Sequence, residues 1–492
     1  MIRLFLGTVL FFVTIQIVAQ FDFNARCKEA YIAVSNLEFE KGQELLELEL
    51  DNNPNNLIPI YLENYIDFLR LAIGEQEEDY KALRSNKGER IRKLEQGKDN
   101  SPYYLYCQAG INLQWALARS KFSDYTRAVF EARKAYFLLL KNQELFPDFT
   151  PNLVGLGLLH TLVGTIPDEY QWVAGVFGMQ GSVREGLEEL HLAASRLQTG
   201  DLDFLYPECL FFITFLRMNF QADVSLGGEY LDMLDLYAEK SILIRYAYGR
   251  YLMKSGSNDR AIQVLSDRKR KDGQYPFHYL DYLLGKAKLN RLDADADKYF
   301  YLYVTNHKGD NYIKAGYQKL AWFNLVMGNE EGYFDKIYKV RQYGHAYVDA
   351  DKQAIMEAET GLIPNVTLLK GRLLFDGGYY PKAEKLLLDS GIIIDSKKDS
   401  VEIDYRLGRI YHSMGKEEKA LLHYDQCIEQ GRGLPFYYSA NAALHAGMIC
   451  EENGDFQDAR IYYEMCRDMD FTEYRASILQ KAKAGMDRIK QY

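Results

Sequence analysis

The chain has 492 residues, a formal net charge of −10 and a pI near 5.5, a balance that opposes the phosphate backbone of a nucleic acid as general partner. Its 11 prolines fall where helices should begin or end, as at Pro54, Pro102, Pro147, Pro276 and Pro364, and no run of alternating β-branched residues is long enough for a strand. The 39 tyrosines outnumber the 3 tryptophans, and an excess of that kind fills aromatic slots between helices without itself signalling a function.

The amino terminus reads as an address. Met1-Ile2-Arg3 carries one positive charge, residues 4–15 are apolar but for Gly7 and Thr8, and Ile17-Val18-Ala19 precedes Gln20. A short charged region, an apolar segment and a small residue at a cut site predict a secretory signal peptide over 1–19. The apolar run is shorter than the ~20 residues that span a bilayer, and Asn24-Ala25-Arg26 before Cys27 is no lipidation context. The expectation is an exported chain of the periplasm or cell envelope.

Residues 20–240 read as a divergent helical region. A hairpin over 30–56 has Gly42 at its close approach and Pro54 at its end, followed by helices over 61–74 and 80–96. The mixed charges of 84–98 suit a solvated face. Pro102 opens a helix running through Ser120, and Asp124 caps another through Asn142. Residues 147–200 differ: Pro147 and Pro151 precede an almost wholly apolar stretch over 153–164, Pro167 breaks it, and Tyr170-Gln171-Trp172 leads to Gly175, Gly178, Gly181 and Gly186-Leu187. A helix apolar all round is buried, which makes His160 a satisfied core histidine, and glycines so spaced let backbones touch.

Repetition then becomes plain over 241–472. Gly249 and Ala261, Gly371 and Ala383, Gly408 and Ala420, and Gly447 and Ala459 all stand twelve apart. Leu407-Gly408, Tyr411, Gly415, Ala420, Tyr424 and Cys427 set an order that Gly447, Gly454, Ala459, Tyr463 and Cys466 repeat, as do Gly249, Leu252, Gly256, Ala261 and Leu265. The cause is steric: antiparallel helices approach closely only where side chains are small, and a glycine ends the first helix. A unit centred on Gly285 and a weaker one around Ala321 and Gly328 precede a longer connection over 344–364, and an amphipathic helix within 473–492 caps the stack.

This order resembles the tetratricopeptide repeat family. The resemblance implies an all-α solenoid of helical hairpins, a right-handed superhelix with a divergent amino-terminal half. Between about residues 100 and 220, the order of apolar Gly-Leu-Leu helix, proline, aromatic helix, Gly-x-x-Gly and Gly-Leu-x-x-Leu resembles the tetratricopeptide group that includes the inclusion body clearance proteins. That likeness implies a membrane-associated or lipid-related adaptor, not a catalyst.

A search for chemistry supports no enzyme, cofactor or metal. Asp293-x-Asp295-x-Asp297 opens like a calcium loop, but Lys298 stands where the turn glycine belongs and Val304 where the bidentate acid belongs. The spaced Gly175, Gly178 and Gly181 lack the strand of a dinucleotide site. His423 and Cys427, one helical turn apart, supply only two zinc ligands. Arg268-Lys269-Arg270-Lys271 suits a solvated turn, and there is no nucleophile elbow and no His-Glu-x-x-His. Cys427 and Cys466 occupy equivalent small slots and Cys450 an aromatic one, so the six cysteines read as buried thiols, with a Cys427–Cys450 bridge as the alternative.

One pattern exceeds packing. The residue after each repeat glycine is Arg250, Lys286, Arg372 or Arg409, with Met448 the exception; Tyr246, Tyr282 and Tyr405 stand one helical turn earlier, and Phe375 and His412 one turn later. In the proteins resembled, such positions line a concave groove that binds peptides. Guanidinium groups flanked by aromatics suit an acidic or carboxylate-ended peptide, although each Tyr–Arg pair could equally stack only to keep the face soluble. The expected function is a non-catalytic scaffold holding a partner protein. The alternatives are a membrane-surface module using residues 153–172 and an accessory protein for small ligands or glycans.

Overall fold

A computed structural model describes residues 19–166, 178–220, 226–267, 272–389, 394 and 396–490. The leader, the Tyr170–Trp172 stretch, Gly175 and the basic run at 268–271 lie outside them. The described residues are helical throughout, with no strand and one isolated parallel bridge between Gln20 and Asn56. No helix among them is long and apolar enough to cross a membrane. The chain divides into two compact units, one of Met1–Ala247 with Lys269–Phe277 and one of Tyr248–Arg268 with His278–Tyr492.

The first unit runs through α1 (Ala25–Ser35), α2 (Phe39–Asn52), α3 (Ile58–Gly74), α4 (Glu77–Leu83), α5 (Asn86–Leu94), α6 (Pro102–Lys121), α7 (Tyr125–Leu145), α8 (Pro151–Gly164), α9 (Val183–Leu197), α10 (Tyr206–Phe220) and α11 (Gly228–Ala238). Their starts follow the sequence signals. Ser101 accepts from Tyr103 N at 3.3 Å ahead of Pro102, and Ser182 accepts from Glu185 N at 3.1 Å, each satisfying an amide the helix leaves open. α8 and α9 meet backbone to backbone, since a Cβ on Gly157 would lie 2.6 Å from the Gly186 carbonyl oxygen. His160 is buried in this seam, with Nδ1 2.6 Å from Glu189 Oε2.

The second unit begins within α12 (Ile242–Lys254) and continues through α13 (Asn258–Ser266), α14 (Tyr279–Asn290), α15 (Ala296–Asn306), α16 (Ile313–Val326), α17 (Glu330–Gln342), α18 (Asp349–Thr360), α19 (Val366–Asp376) and α20 (Tyr380–Leu388). It closes with α21 (Lys397–Ser413), α22 (Glu417–Gly431), α23 (Tyr437–Glu452), α24 (Phe456–Asp468) and α25 (Arg475–Arg488). The small residues lie where helix axes cross. Ala261, Ala383, Ala420 and Ala459 are all 0% exposed. A Cβ on Gly408 would stand 2.5 Å from the Tyr424 ring, and one on Gly447 2.7 Å from the Tyr463 ring.

Each hairpin turns in the same way. The amide of the residue after the turn bonds the carbonyl five residues back, at 2.8–3.0 Å, in Ser257–Leu252, Asp293–Lys288, Asn329–Asn324, Tyr379–Leu374, Lys416–Tyr411 and Asp455–Cys450. This is a helix end closed by one residue in the left-handed region. Gly256, Gly328, Gly378, Gly415 and Gly454 take that place, but Leu292 takes it in α14–α15 at φ +66°. The first unit repeats the device with Leu37 and with Ser123, at φ +62° and +59°. Ser123 is exposed, so Ser123→Gly relieves the left-handed strain, offset in part by the greater entropy of the unfolded chain. It should raise stability by about 0.5–1 kcal/mol, measured as a higher midpoint in urea with an unchanged slope.

Two expectations are refined. The connection over 344–364 contains a full helix, α18, held by its acids. Asp351 accepts from the amides of Tyr312 and Ala315 at 2.6 and 2.8 Å, capping α16, and Glu357 accepts from Gln318 and the Trp322 indole at 2.6 and 2.8 Å. All six cysteines are buried free thiols, so no Cys427–Cys450 bridge forms.

Candidate functional site

The first helix of successive hairpins in the second unit presents a row of cations interleaved with aromatic rings. On α14 stands Lys286, on α16 Lys319, on α19 Arg372 and on α21 Arg409. The Lys319 ammonium lies 3.3 Å from the centre of the Trp322 ring, and the Arg372 guanidinium 4.9 Å from the same ring. The Arg409 guanidinium is 5.1 Å from the Phe375 ring and donates to the Tyr405 hydroxyl at 3.0 Å. That hydroxyl also accepts from Asn441 at 2.7 Å. Such contacts keep cations extended and partly dehydrated.

The acids are fewer. Asp376 lies 3.9 Å from Arg372. Glu402 bonds Arg406 through Nε at 2.7 Å and accepts from Tyr438 at 2.6 Å, so that guanidinium is neutralised within the wall. Among the described residues, no carboxylate comes within ion-pairing distance of Arg409 or Lys286. The crowding shows in proton affinities. Burial, then Arg372 and Lys286, hold Lys319 well below the usual lysine value against the pull of Glu357. Burial and the cations of Arg250 and Arg372 likewise lower Lys286. On α23, burial followed by Arg409, His412 and Lys481 pushes His445 well down, and burial and Arg409 push His412 down, so both imidazoles are neutral at pH 7.

At the carboxy-terminal end of this row, α25 folds back. Its Arg488 grips Glu451 of α23 at 2.6 and 2.8 Å, and Ile478 and Ala482 are buried. Together α19, α21, α23 and α25 line a half-open cavity of about 260 Å³, walled by Arg372, Arg406, Arg409 and Lys481 with Phe375, Tyr405, Tyr437 and Tyr474.

Of the residues expected in a groove, Arg372, Phe375, Tyr405 and Arg409 meet at this cavity. Arg250 and Lys286 lie within electrostatic range of one another. His412 stands beside Arg409 but turns Nδ1 to Tyr424, 3.3 Å away. Tyr282 takes no part: it is 3% exposed and packs against Phe300 and Tyr303, 5.8 and 5.4 Å between ring centres. Tyr246 belongs to the first unit, where its ring faces Phe277 at 5.3 Å. Lys319 escaped notice because Trp322 fills the cation's slot in α16 and the charge sits one turn earlier. The Lys-x-x-Trp spacing was its only signal. Lys481 and Tyr474 carry no local signal in the sequence, because they reach the site only through the packing of α25 against α23.

The residues set aside earlier are occupied in other ways. Asp293 pairs with Arg291 at 2.6 Å and Asp295 with Lys288 at 2.7 Å. His423 faces Asp404 at 2.9 Å.

Residues 399–470 match the family model described as "Tetratricopeptide repeat", a span that takes in most of α21 and the whole of α22, α23 and α24. In that span the hairpins are similar to tetratricopeptide repeats. No curated protein matches the chain, and the finer likeness to the inclusion body clearance group rests on sequence motifs alone. Two solved structures align over nearly the full length. The crystal structure of the APC/C hetero-tetramer Cut9–Hcn1 is 12% identical, covers 92% of this chain and 95% of its own, and has a TM-score of 0.26. Yeast Tom70 is 12% identical, with 95% and 96% covered and a TM-score of 0.23.

Proposed function

We propose that the chain is an exported helical-repeat scaffold, non-catalytic, whose second unit holds an acidic segment of a partner protein along the cation–aromatic row from Lys286 to Lys481. One observation carries this reading: Lys319, Arg372 and Arg409, on three consecutive hairpins, each stack on an aromatic ring, and Arg409 does so between Phe375 and Tyr405 with no carboxylate among the described residues in ion-pairing distance. Rings supply contact area at low entropic cost, and guanidinium forks supply bidentate bonds to carboxylates. The leader motif of residues 1–19 supports export, and tetratricopeptide hairpins are a fold that commonly presents such faces to other proteins.

The test is a pull-down from a cell-envelope extract with the mature chain as bait. Arg372→Glu together with Arg409→Glu should cut recovery of the native partner at least about tenfold, since each lost charge-assisted bond is worth about 1.5–3 kcal/mol. Helical circular dichroism should not change. Recovery equal to wild type would defeat the assignment.

A further inference from the structure

We infer that the half-open cavity lined by α19, α21, α23 and α25 is a site for a phosphomonoester dianion. This deepens the groove reading at one end of the same face and rests on it for biological context, but its chemistry is separate. The cavity wall holds Arg372, Arg406, Arg409 and Lys481, while Asp376 and the Glu402 that grips Arg406 are the acids beside them, leaving two positive charges in excess. His412 and His445, the imidazoles nearest Arg409, add none at neutral pH because burial and that guanidinium keep them unprotonated.

A single carboxylate would satisfy half of that surplus. A phosphomonoester carries about −1.5 to −2 at pH 7 and offers three acceptor oxygens, which matches both the charge and the donor geometry of guanidinium forks. The size agrees. At about 260 Å³ the space falls below the roughly 300–1,000 Å³ of sites for drug-sized ligands. It suits a compact head group whose attached ring or chain lies against Phe375, Tyr405 and Tyr437. Asn441 and Ser477 add neutral polar groups at the wall.

Phosphorylated side chains of a partner and free phosphomonoesters present the same head group, so the experiment separates them. Titration calorimetry on the full mature chain would use phenyl phosphate, its monoanionic diester methyl phenyl phosphate, benzoate and a peptide bearing phosphotyrosine. Phenyl phosphate should bind at least about tenfold more tightly than the diester or benzoate, and Arg409→Gln and Lys481→Gln should each weaken it about tenfold. Lys481 is exposed, so its replacement leaves folding intact and keeps the test decisive if Arg409→Gln misfolds. Tighter binding of the peptide than of phenyl phosphate would assign the site to a partner's side chain, and equal binding to a free monoester. Benzoate or the diester binding as well as phenyl phosphate, or Lys481→Gln leaving affinity unchanged, would overturn the inference. So would an absence of binding, even if the partner were still captured. Binding of phenyl phosphate without partner capture would instead retain the site and sink the groove.

Discussion

Glu402→Gln should destabilise the second unit by about 3–5 kcal/mol, because it strands the Arg406 guanidinium without its counter-charge. Both side chains are nearly sealed, each residue 8% exposed. Glu402 also accepts from the Tyr438 hydroxyl, so two polar groups, one on α21 and one on α23, depend on one carboxylate. The comparison that isolates the cause is Glu402→Leu with Arg406→Met, which removes the pair together and should be close to neutral. Urea denaturation followed by circular dichroism reads both. A double variant as unstable as the single one would show that packing, not charge, is at stake. The pH dependence has a definite sign. Burial would raise the Glu402 pKa, but Arg406 and the Tyr438 hydrogen bond outweigh it and hold the value below the ordinary glutamate range. A depressed folded-state value contributes stability that is present above the unfolded value, about 4.3, and lost as pH falls through the folded one. Acid unfolding of wild type should therefore begin below that pH, and Glu402→Gln should flatten the acid limb.

Gly408→Leu should unfold the α21–α22 hairpin or cost 3 kcal/mol or more, at the upper end of the roughly 1–3 kcal/mol typical of overpacked cores. The added Cβ alone would lie 2.5 Å from a Tyr424 ring carbon. Tyr424 is 0% exposed, so the ring has nowhere to go. Gly408→Ala should cost less, about 1–2 kcal/mol, and pairing it with Tyr424→Leu should recover part of the loss by vacating the space. Thermal melts of the three variants decide the matter. An alanine variant as stable as wild type would mean that the helices cross elsewhere.

The hairpins were legible wherever a steric rule left a single residue type. Glycine at the crossing and alanine in the facing helix are forced by distance, so Gly249, Gly371, Gly408 and Gly447 stood out. The turns were less legible, because Leu37, Ser123 and Leu292 sit in a backbone region that usually demands glycine. α18 was missed for a different reason: its inward face is made of Asp351, Ala354, Glu357 and Ala358, polar or small residues whose value lies in hydrogen bonds to other helices. The same logic applies to the candidate site. Arg372 and Arg409 followed from position in the repeat. Tyr282 stands in the slot that Tyr405 takes in its own repeat, one turn before the cation, but its ring packs into the aromatic core behind the row. Lys481 depended on α25 folding back, a long-range event without a local signature.

The six cysteines have a consequence for the environment in which the chain matures. Burial pushes the Cys27, Cys427 and Cys466 thiols up to about 12 and Cys450 to about 11. A sulfur that does not ionise neither attacks a disulfide nor yields readily to peroxide. With all six thiols buried and unpaired, the fold is built without a disulfide that an oxidase would have to finish.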